Sequence, residues 1–496
     1  MTRAFGTSRA PVTPLAIVAA ASLAAGMCVA ARPSAGPLIA AGAVGAMLSL
    51  NWRHGVMLLL VVLPFSGVPV FMGGTAGLGL RDAAIILPLY IAFALALTRD
   101  TAMTMPRMGI AAPALAAFAA LVLVHVPLSQ TAVVGAIATK VWLAYIPMLA
   151  LGYSYVRRID DFDRVLHVTA LVGLIPAAVA IGEWYFATQH SAIVHGHWQN
   201  DFGPFRLLYG GFYDTARGGA VAFPAPNHRF VIPRIPSTFT SVTQYYGFAL
   251  VAFAAGLSQA LRHGGRGWTL CAITLGLGAI ASGSRLAYVS VPLMTAAAVI
   301  LAGPSRRQVT IFALIAGAGT AVGVLFVATV FDVLALMPGH LMVEAETALN
   351  ALRASGASHV IGRGTGWDTQ SALRYGGSAD KQYIENWYAK ASLELGFFGL
   401  ATIVIVMASL STRLLTSVRR MEPQARRLAA PVAVLLVGTV VTLFKGPLID
   451  VDPLNVYFWL FTGMLLGVAR LPAATPPAAA GDAYASNAHP PERVAS

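Results

Sequence analysis

Four residues carry the chemistry that this sequence offers. Arg285 closes the tetrad Ser282-Gly283-Ser284-Arg285, a short break between two apolar stretches. Small residues let backbone N–H groups and a guanidinium fork reach phosphate oxygens together, which makes this arginine a candidate for holding an anion. Arg234 stands in Pro233-Arg234-Ile235-Pro236, where two prolines fix the backbone just before another apolar stretch begins. Alone it reads as an interfacial anchor; paired with Arg285 it suggests a two-point clamp for a diphosphate. Glu385 and Asn386 precede the run Trp387-Tyr388-Ala389-Lys390. A carboxylate at that place, beside a hydroxyl, could act as a general base if burial raised its pKa, and the same position at a helix N-terminus also suits a plain cap.

Other motifs say less. Gly362-Arg363-Gly364-Thr365-Gly366-Trp367 has the glycines of a nucleotide loop but not the spacing. A turn is the better reading, with Arg363 and Trp367 placed to touch substrate. Lys390 and Glu394 are spaced to pair as a structural bridge on one helix face. His190, His195 and His197 cluster without acidic or Cys partners, so no metal and no cofactor are expected. Cys28 and Cys271 both fall inside apolar runs, which implies no disulfide framework.

The elements that must position these residues are membrane helices. The chain has 496 residues, 57% of them apolar and only 11% charged, with a mean hydropathy of +0.71. Soluble proteins carry about 25% charged residues. Apolar runs near the length of about 20 residues that crosses the hydrocarbon lie at 14–31, 36–51, 55–72, 82–98, 109–128, 133–154, 165–187, 239–260, 268–282, 286–302, 309–331, 389–411, 428–446 and 453–469. The expected fold is therefore all-α and polytopic, with about 12–14 spans and two long extracytoplasmic loops. The net charge of +13 reflects basic residues in short loops on one side, which reads as topology and not as nucleic-acid binding. That bias places both termini in the cytoplasm.

The organisation follows: N-terminal spans over 1–187, an outer loop at 188–238, central spans over 239–331, a second outer loop at 332–388, and C-terminal spans over 389–470. The Pro/Ala-rich tail, 471–496, reads as a disordered cytoplasmic segment. Long loops of this kind are more often functional than simple connectors.

In order along the chain come an Arg-bearing segment before a span, a Ser-Gly-Ser-Arg opening a later span, a long outer loop with Gly-x-Gly, and a polar-Asn-aromatic start leading to Glu394-x-Gly396-x-x-Gly399. Over roughly 230–410 this series resembles the O-antigen ligase / Wzy polymerase superfamily. The resemblance implies a glycosyltransferase of the bacterial inner membrane that uses an undecaprenyl-diphosphate-linked oligosaccharide as donor. It casts Arg234 and Arg285 as holders of the diphosphate and Glu385 as the group that activates the acceptor. Asn386, Trp387, Tyr388, Arg363, Trp367 and Ser284 would bind substrate, the aromatic rings by stacking on sugars. Implied partners are membrane lipid and the chain-length regulator and flippase of the same pathway. Ligases of the superfamily commonly place His before the Asn, whereas this chain has Glu385, and Thr240-Ser241-Val242-Thr243-Gln244 replaces a frequent Pro-Asn. Those departures favour a repeat-unit polymerase over a ligase. A flippase or other transporter is the reading from another class; transporters tend to show internal repeats and midplane charges, and neither is visible in this sequence.

Overall fold

The computed structural model describes residues 51–68, 81–100, 105–189, 221–222, 231–232, 235–303, 360–367 and 386–471, with scattered positions within 45–50, 306–317 and 342–353. Apart from a two-residue antiparallel pairing of β1 (Val221–Ala222) with β2 (Val231–Ile232), every regular element among them is helical. Among the described residues six helical stretches are long and apolar enough to cross a membrane: Asp82–Arg99, Ala111–Leu128, Ala132–Tyr155, Ile159–Tyr185, Trp387–Arg420 and Pro423–Thr442. Shorter apolar helices occupy Trp52–Phe65, Arg266–Ala281, Leu286–Ala302 and Leu454–Ala469. The protein is an all-α polytopic membrane protein.

In chain order the helices are α1 (Trp52–Val62), α2 (Leu87–Arg99, reached through a π-helical turn at Asp82–Ile86), α3 (Ala111–Val124), α4 (Ala132–Leu143), α5 (Pro147–Tyr155) and α6 (Ile159–Gln189). There follow α7 (Val242–Arg262), α8 (Arg266–Ala281), α9 (Arg285–Ala302), α10 (Trp387–Arg420), α11 (Pro423–Thr442) and α12 (Leu454–Ala469). The single run expected over 133–154 divides in two because Pro147, at the first turn of α5, cannot continue the hydrogen-bond ladder of α4. The span expected to end near 411 continues to Arg420, where Leu410, Leu414 and Val418 prolong its buried stripe.

The centre of the bundle is α7. It starts at a capping box between Ser241 and Gln244, and every residue from Tyr245 to Leu261 is buried. A helix buried on all sides leaves no face for water or lipid, and α7 accordingly packs against α6, α8, α9, α11 and α12. Small residues let other pairs close tightly. A side chain at Gly152 of α5 would strike the Leu460 carbonyl of α12, and one at Gly463 would strike that of Leu149.

The bundle has two polar ends. At one, arginines fasten neighbouring helix termini: Arg53 to the Tyr155 carbonyl at 2.8 Å, Arg157 to Asp100 at 3.2 Å, Arg426 to the Ala302 carbonyl at 3.2 Å and Arg470 to the Val156 carbonyl at 3.1 Å. Arg413 binds the Arg107 carbonyl, so α10 and the start of α3 share this level. From Arg413 to Gly396, α10 rises about 25 Å, close to a hydrocarbon thickness of about 30 Å. The candidate chemistry lies at the opposite end.

Candidate functional site

Arg234 and Glu385 lie outside the described residues, and of Arg285 only the backbone is described. What is described is the framework around them. The Ile235 N–H donates to the Ser282 carbonyl at 3.0 Å, so the chain directly after Arg234 runs beside the tetrad that ends in Arg285. Two anchors hold it there. The Ser237 hydroxyl donates to the Pro176 carbonyl of α6 at 2.7 Å, and the Thr238 hydroxyl donates to the Pro64 carbonyl. Gly67 completes the joint, its N–H donating to the Thr238 carbonyl at 3.1 Å. Ser237 has φ 53°, a left-handed conformation uncommon for a non-glycine residue, and it persists because these bonds over-determine it.

On the other side of the joint, Gly283 takes φ 68° and lets the chain turn sharply into α9. The Ser282 hydroxyl donates to the Ala279 carbonyl at 2.6 Å and accepts from the Ser284 N–H at 3.2 Å. Ser284 is the N-cap of α9 but makes no side-chain capping bond. Among the described residues no side chain caps the first turn of α9, at the end of the helix whose dipole favours an anion.

Beneath this joint lies a residue that the motif reading passed over. Glu183 on α6 is 0% exposed, and among the described residues neither carboxylate oxygen completes a hydrogen bond of good geometry. A lone acid in an otherwise apolar run was its only signal in the sequence.

Asn386 is the N-cap of α10, its Oδ1 accepting from the N–H groups of Tyr388 at 2.9 Å and Ala389 at 3.0 Å. The capping role considered for Glu385 thus belongs to Asn386. Its Nδ2 is buried without a partner among the described residues. Trp387 and Tyr388 point into the protein, 3% and 5% exposed. The Trp387 Nε1 donates to Asp450 at 2.7 Å, and the Tyr388 hydroxyl donates to the Val440 carbonyl at 3.0 Å. The Trp387 ring packs on Trp142 and the Tyr388 ring on Phe444, with centroids 5.1 and 4.7 Å apart. Neither ring offers an open face to a sugar in this structure, because apolar rings with satisfied polar tips gain more from burial.

Around that first turn lies a layer of charge. Lys390 pairs with Asp450 and sits over the Trp142 ring, while Glu394 accepts from the Trp142 Nε1 at 2.8 Å. Arg81 pairs with Asp452 and Asp82, Lys140 pairs with Asp82, and the Tyr145 hydroxyl lies 3.3 Å from the Arg81 guanidinium. Burial pushes the Asp452 carboxyl up from the ordinary carboxylate range, and Arg81 pulls against that shift. Except for Arg81 and Asp82, which adjoin, these partners are far apart in sequence, so no motif could show them.

The glycine segment is a turn. Gly362, Gly364 and Gly366 have φ 93°, 121° and 95°. The segment wedges against a break in α10 at Gly396, φ 72°, where the N–H groups of Arg363 and Gly364 donate to the Leu393 and Glu394 carbonyls at 2.8 and 3.0 Å. Those two carbonyls would otherwise lose their helical partners at the break. On its other flank, Thr365 binds the His125 and Val122 carbonyls, and the His125 Nε2 lies 2.6 Å from the Ile361 carbonyl. The Arg363 guanidinium stacks over the Trp367 ring at 5.7 Å, and the Trp367 Nε1 donates to the Leu128 carbonyl at 3.3 Å. Arg363 is exposed, whereas Trp367 is half-buried.

Among the described residues no group of three or more His, Cys, Asp or Glu side chains is arranged to hold a metal ion. Fold and site together define a polytopic helical membrane protein with a structured polar layer at one end. No protein-family model, no curated protein and no solved structure matches the chain.

Proposed function

We propose that this protein is a bacterial inner-membrane glycosyltransferase that joins polysaccharide repeat units carried on undecaprenyl diphosphate, at the outer face of the membrane. One observation carries the reading: the bond from the Ile235 N–H to the Ser282 carbonyl, 3.0 Å, sets the segments bearing Arg234 and Arg285 side by side. Arg234 and Arg285 each adjoin that joint in sequence, at the N-terminal start of α9, a combination suited to a diphosphate. In the reaction, the acceptor hydroxyl oxygen attacks the anomeric carbon and the bond from that carbon to the diphosphate oxygen breaks. Arg234 and Arg285 neutralise the departing diphosphate, and Glu385 takes the proton of the attacking hydroxyl. Asn386 fixes the chain next to Glu385 by capping α10. Arg363 and Trp367 bind substrate from the glycine turn, and Ser284 from the start of α9. Trp387 and Tyr388 serve the site by packing. The arginine-rich end of the bundle faces the cytoplasm, and the chain-length regulator and flippase of the pathway are the protein partners.

The test replaces each arginine by lysine in a strain lacking the native gene. Lysine keeps the charge but not the planar fork, so Arg234→Lys and Arg285→Lys should each abolish long-chain product while the protein inserts at normal levels. Near-normal polymer from either variant would reduce that arginine to an interfacial anchor.

A further inference from the structure

The glycine turn is bonded to the protein more closely than a loop in water needs to be. Its Arg363 and Gly364 N–H groups donate to α10, and its Thr365 N–H donates to the His125 carbonyl. The Val360 carbonyl accepts from the Phe397 N–H at 3.1 Å. The Ile361 carbonyl faces the His125 Nε2, and the Thr365 carbonyl accepts from the Ser129 hydroxyl at 2.6 Å. Water would satisfy such groups at no cost, whereas in hydrocarbon only protein can do so. The side chains point the same way. Val360 and Ile361 are 61% and 71% exposed, and Phe397 and Phe398, joined to them through the Val360 carbonyl, are 59% and 61% exposed. Depth agrees with both. Measured from the Arg413–Arg107 contact, Gly396 stands about 25 Å along α10, and His125 about 21 Å along α3 from Ala111. Both distances fall short of a hydrocarbon thickness of about 30 Å, so the turn lies roughly 5 Å inside the boundary at this end.

We infer that residues 360–367 form a membrane-inserted turn whose apolar rim is covered by phospholipid acyl chains of the leaflet at this end of the bundle. The Arg363 guanidinium, stacked on the Trp367 ring at 5.7 Å, then stands where lipid phosphates lie, the level that basic and indole groups favour. Charge selects phospholipid over a second copy of this chain. Two copies meeting symmetrically on the rim would bring their Arg363 cations together, whereas a phosphate complements that charge. The segment expected from sequence to lie wholly outside the membrane is thus anchored in the bilayer near its middle. A lipid-linked diphosphate lies at the same level, so substrate contact by Arg363 and Trp367 is compatible with the anchor. The inference does not depend on that contact or on the reaction proposed above.

The experiment reads depth by fluorescence quenching. The full chain, with Cys28 and Cys271 replaced, carries Ile361→Cys labelled with bimane and is reconstituted in phosphatidylcholine/phosphatidylglycerol vesicles. Bromine atoms on the acyl chains, placed either near the headgroup or near the chain end, quench from within the bilayer, and iodide quenches from water. Leu293→Cys, exposed near the middle of α9, marks the hydrocarbon centre, and Gln424→Cys, exposed at the arginine-rich end, marks water. The Ile361 label should be protected from iodide and quenched more by bromine near the headgroup than by bromine near the chain end. Leu293 should show the reverse order of bromines, as its greater depth requires. Phe398→Cys should repeat the Ile361 pattern from the α10 side, which guards against a fault peculiar to one variant. Quenching of both labels by iodide, as at Gln424, would put the turn in water and overturn the inference. Protection from iodide and from both bromines would overturn it as well, because protein, a second copy included, would then cover the rim in place of lipid.

Discussion

At residue scale, the division of labour between Glu385 and Asn386 is what the structure sharpens. Asn386 already caps α10 through two bonds to backbone N–H groups, so Glu385 has no capping duty to confuse a test of its chemistry. Glu385→Gln should express normally and retain donor binding but lose polymer by about 10²-fold or more, the scale of a general base; an active glutamine variant would remove the proton-acceptor role. Asn386→Ala should instead lower the unfolding midpoint by removing a cap of about 1 kcal/mol. Lys390 shows what sequence spacing can and cannot reveal. The helix rule offers Glu394, four residues on, as a neighbour, but it could not reveal the ion pair that Lys390 makes with Asp450, 60 residues away. Only the tertiary fold brings such groups together, and for the same reason Glu183 stayed hidden in an apolar run. Lys390→Met should destabilise the protein by about 3–5 kcal/mol, because Asp450 would be left buried with one partner fewer. Adding Asp450→Leu should recover part of that loss but not all, since the Trp387 Nε1 would lose its acceptor.

Elements set the geometry through places where regular structure stops. Most helix ends were readable, because prolines, glycines and charges punctuate the apolar runs; α9 and α12 begin and end close to where the residues alone place them. The break in α10 was not readable. Gly396 lies inside a run that looks continuous, and its left-handed conformation makes sense only against the distant segment that repairs the break. A side chain at Gly396 would meet the carbonyls of Val360 and Ile361, and one at Gly362 would meet the backbone of Glu394, Leu395 and Gly396. Gly362→Ala and Gly396→Ala should therefore each lower the thermal unfolding midpoint, by more than the roughly 1 kcal/mol of an ordinary glycine replacement in a helix. Combining them should cost less than the sum, because either one alone already separates the two backbones. Fully additive losses would mean that the turn and the break are independent.

For the whole molecule, composition made the membrane class plain, whereas the inner arrangement of helices was beyond it, since a central helix such as α7 and a lipid-facing one are apolar alike. The structure adds a check on topology that charge counting cannot supply. The first long loop, 188–238, leaves α6 at Gln189 and returns at Ile235; the second, 332–388, includes the glycine turn and reaches α10 at Asn386. All four of these points lie at the end away from the Arg413–Arg107 and Arg157–Asp100 contacts. These described points thus share one end of the bundle, and if the arginine-rich end is cytoplasmic, that end faces the periplasm. The measurement is cysteine labelling in a background in which Cys28 and Cys271 are replaced. Cysteines introduced by Ser191→Cys and Ser358→Cys should both react with a membrane-impermeant maleimide once the outer membrane alone is opened. Reaction of one but not the other would contradict the shared end that the helix contacts define. Reaction of both only after the inner membrane is breached would invert the whole molecule and leave Arg234, Arg285 and Glu385 on the cytoplasmic side, where the proposed transfer between lipid-linked repeats could not take place.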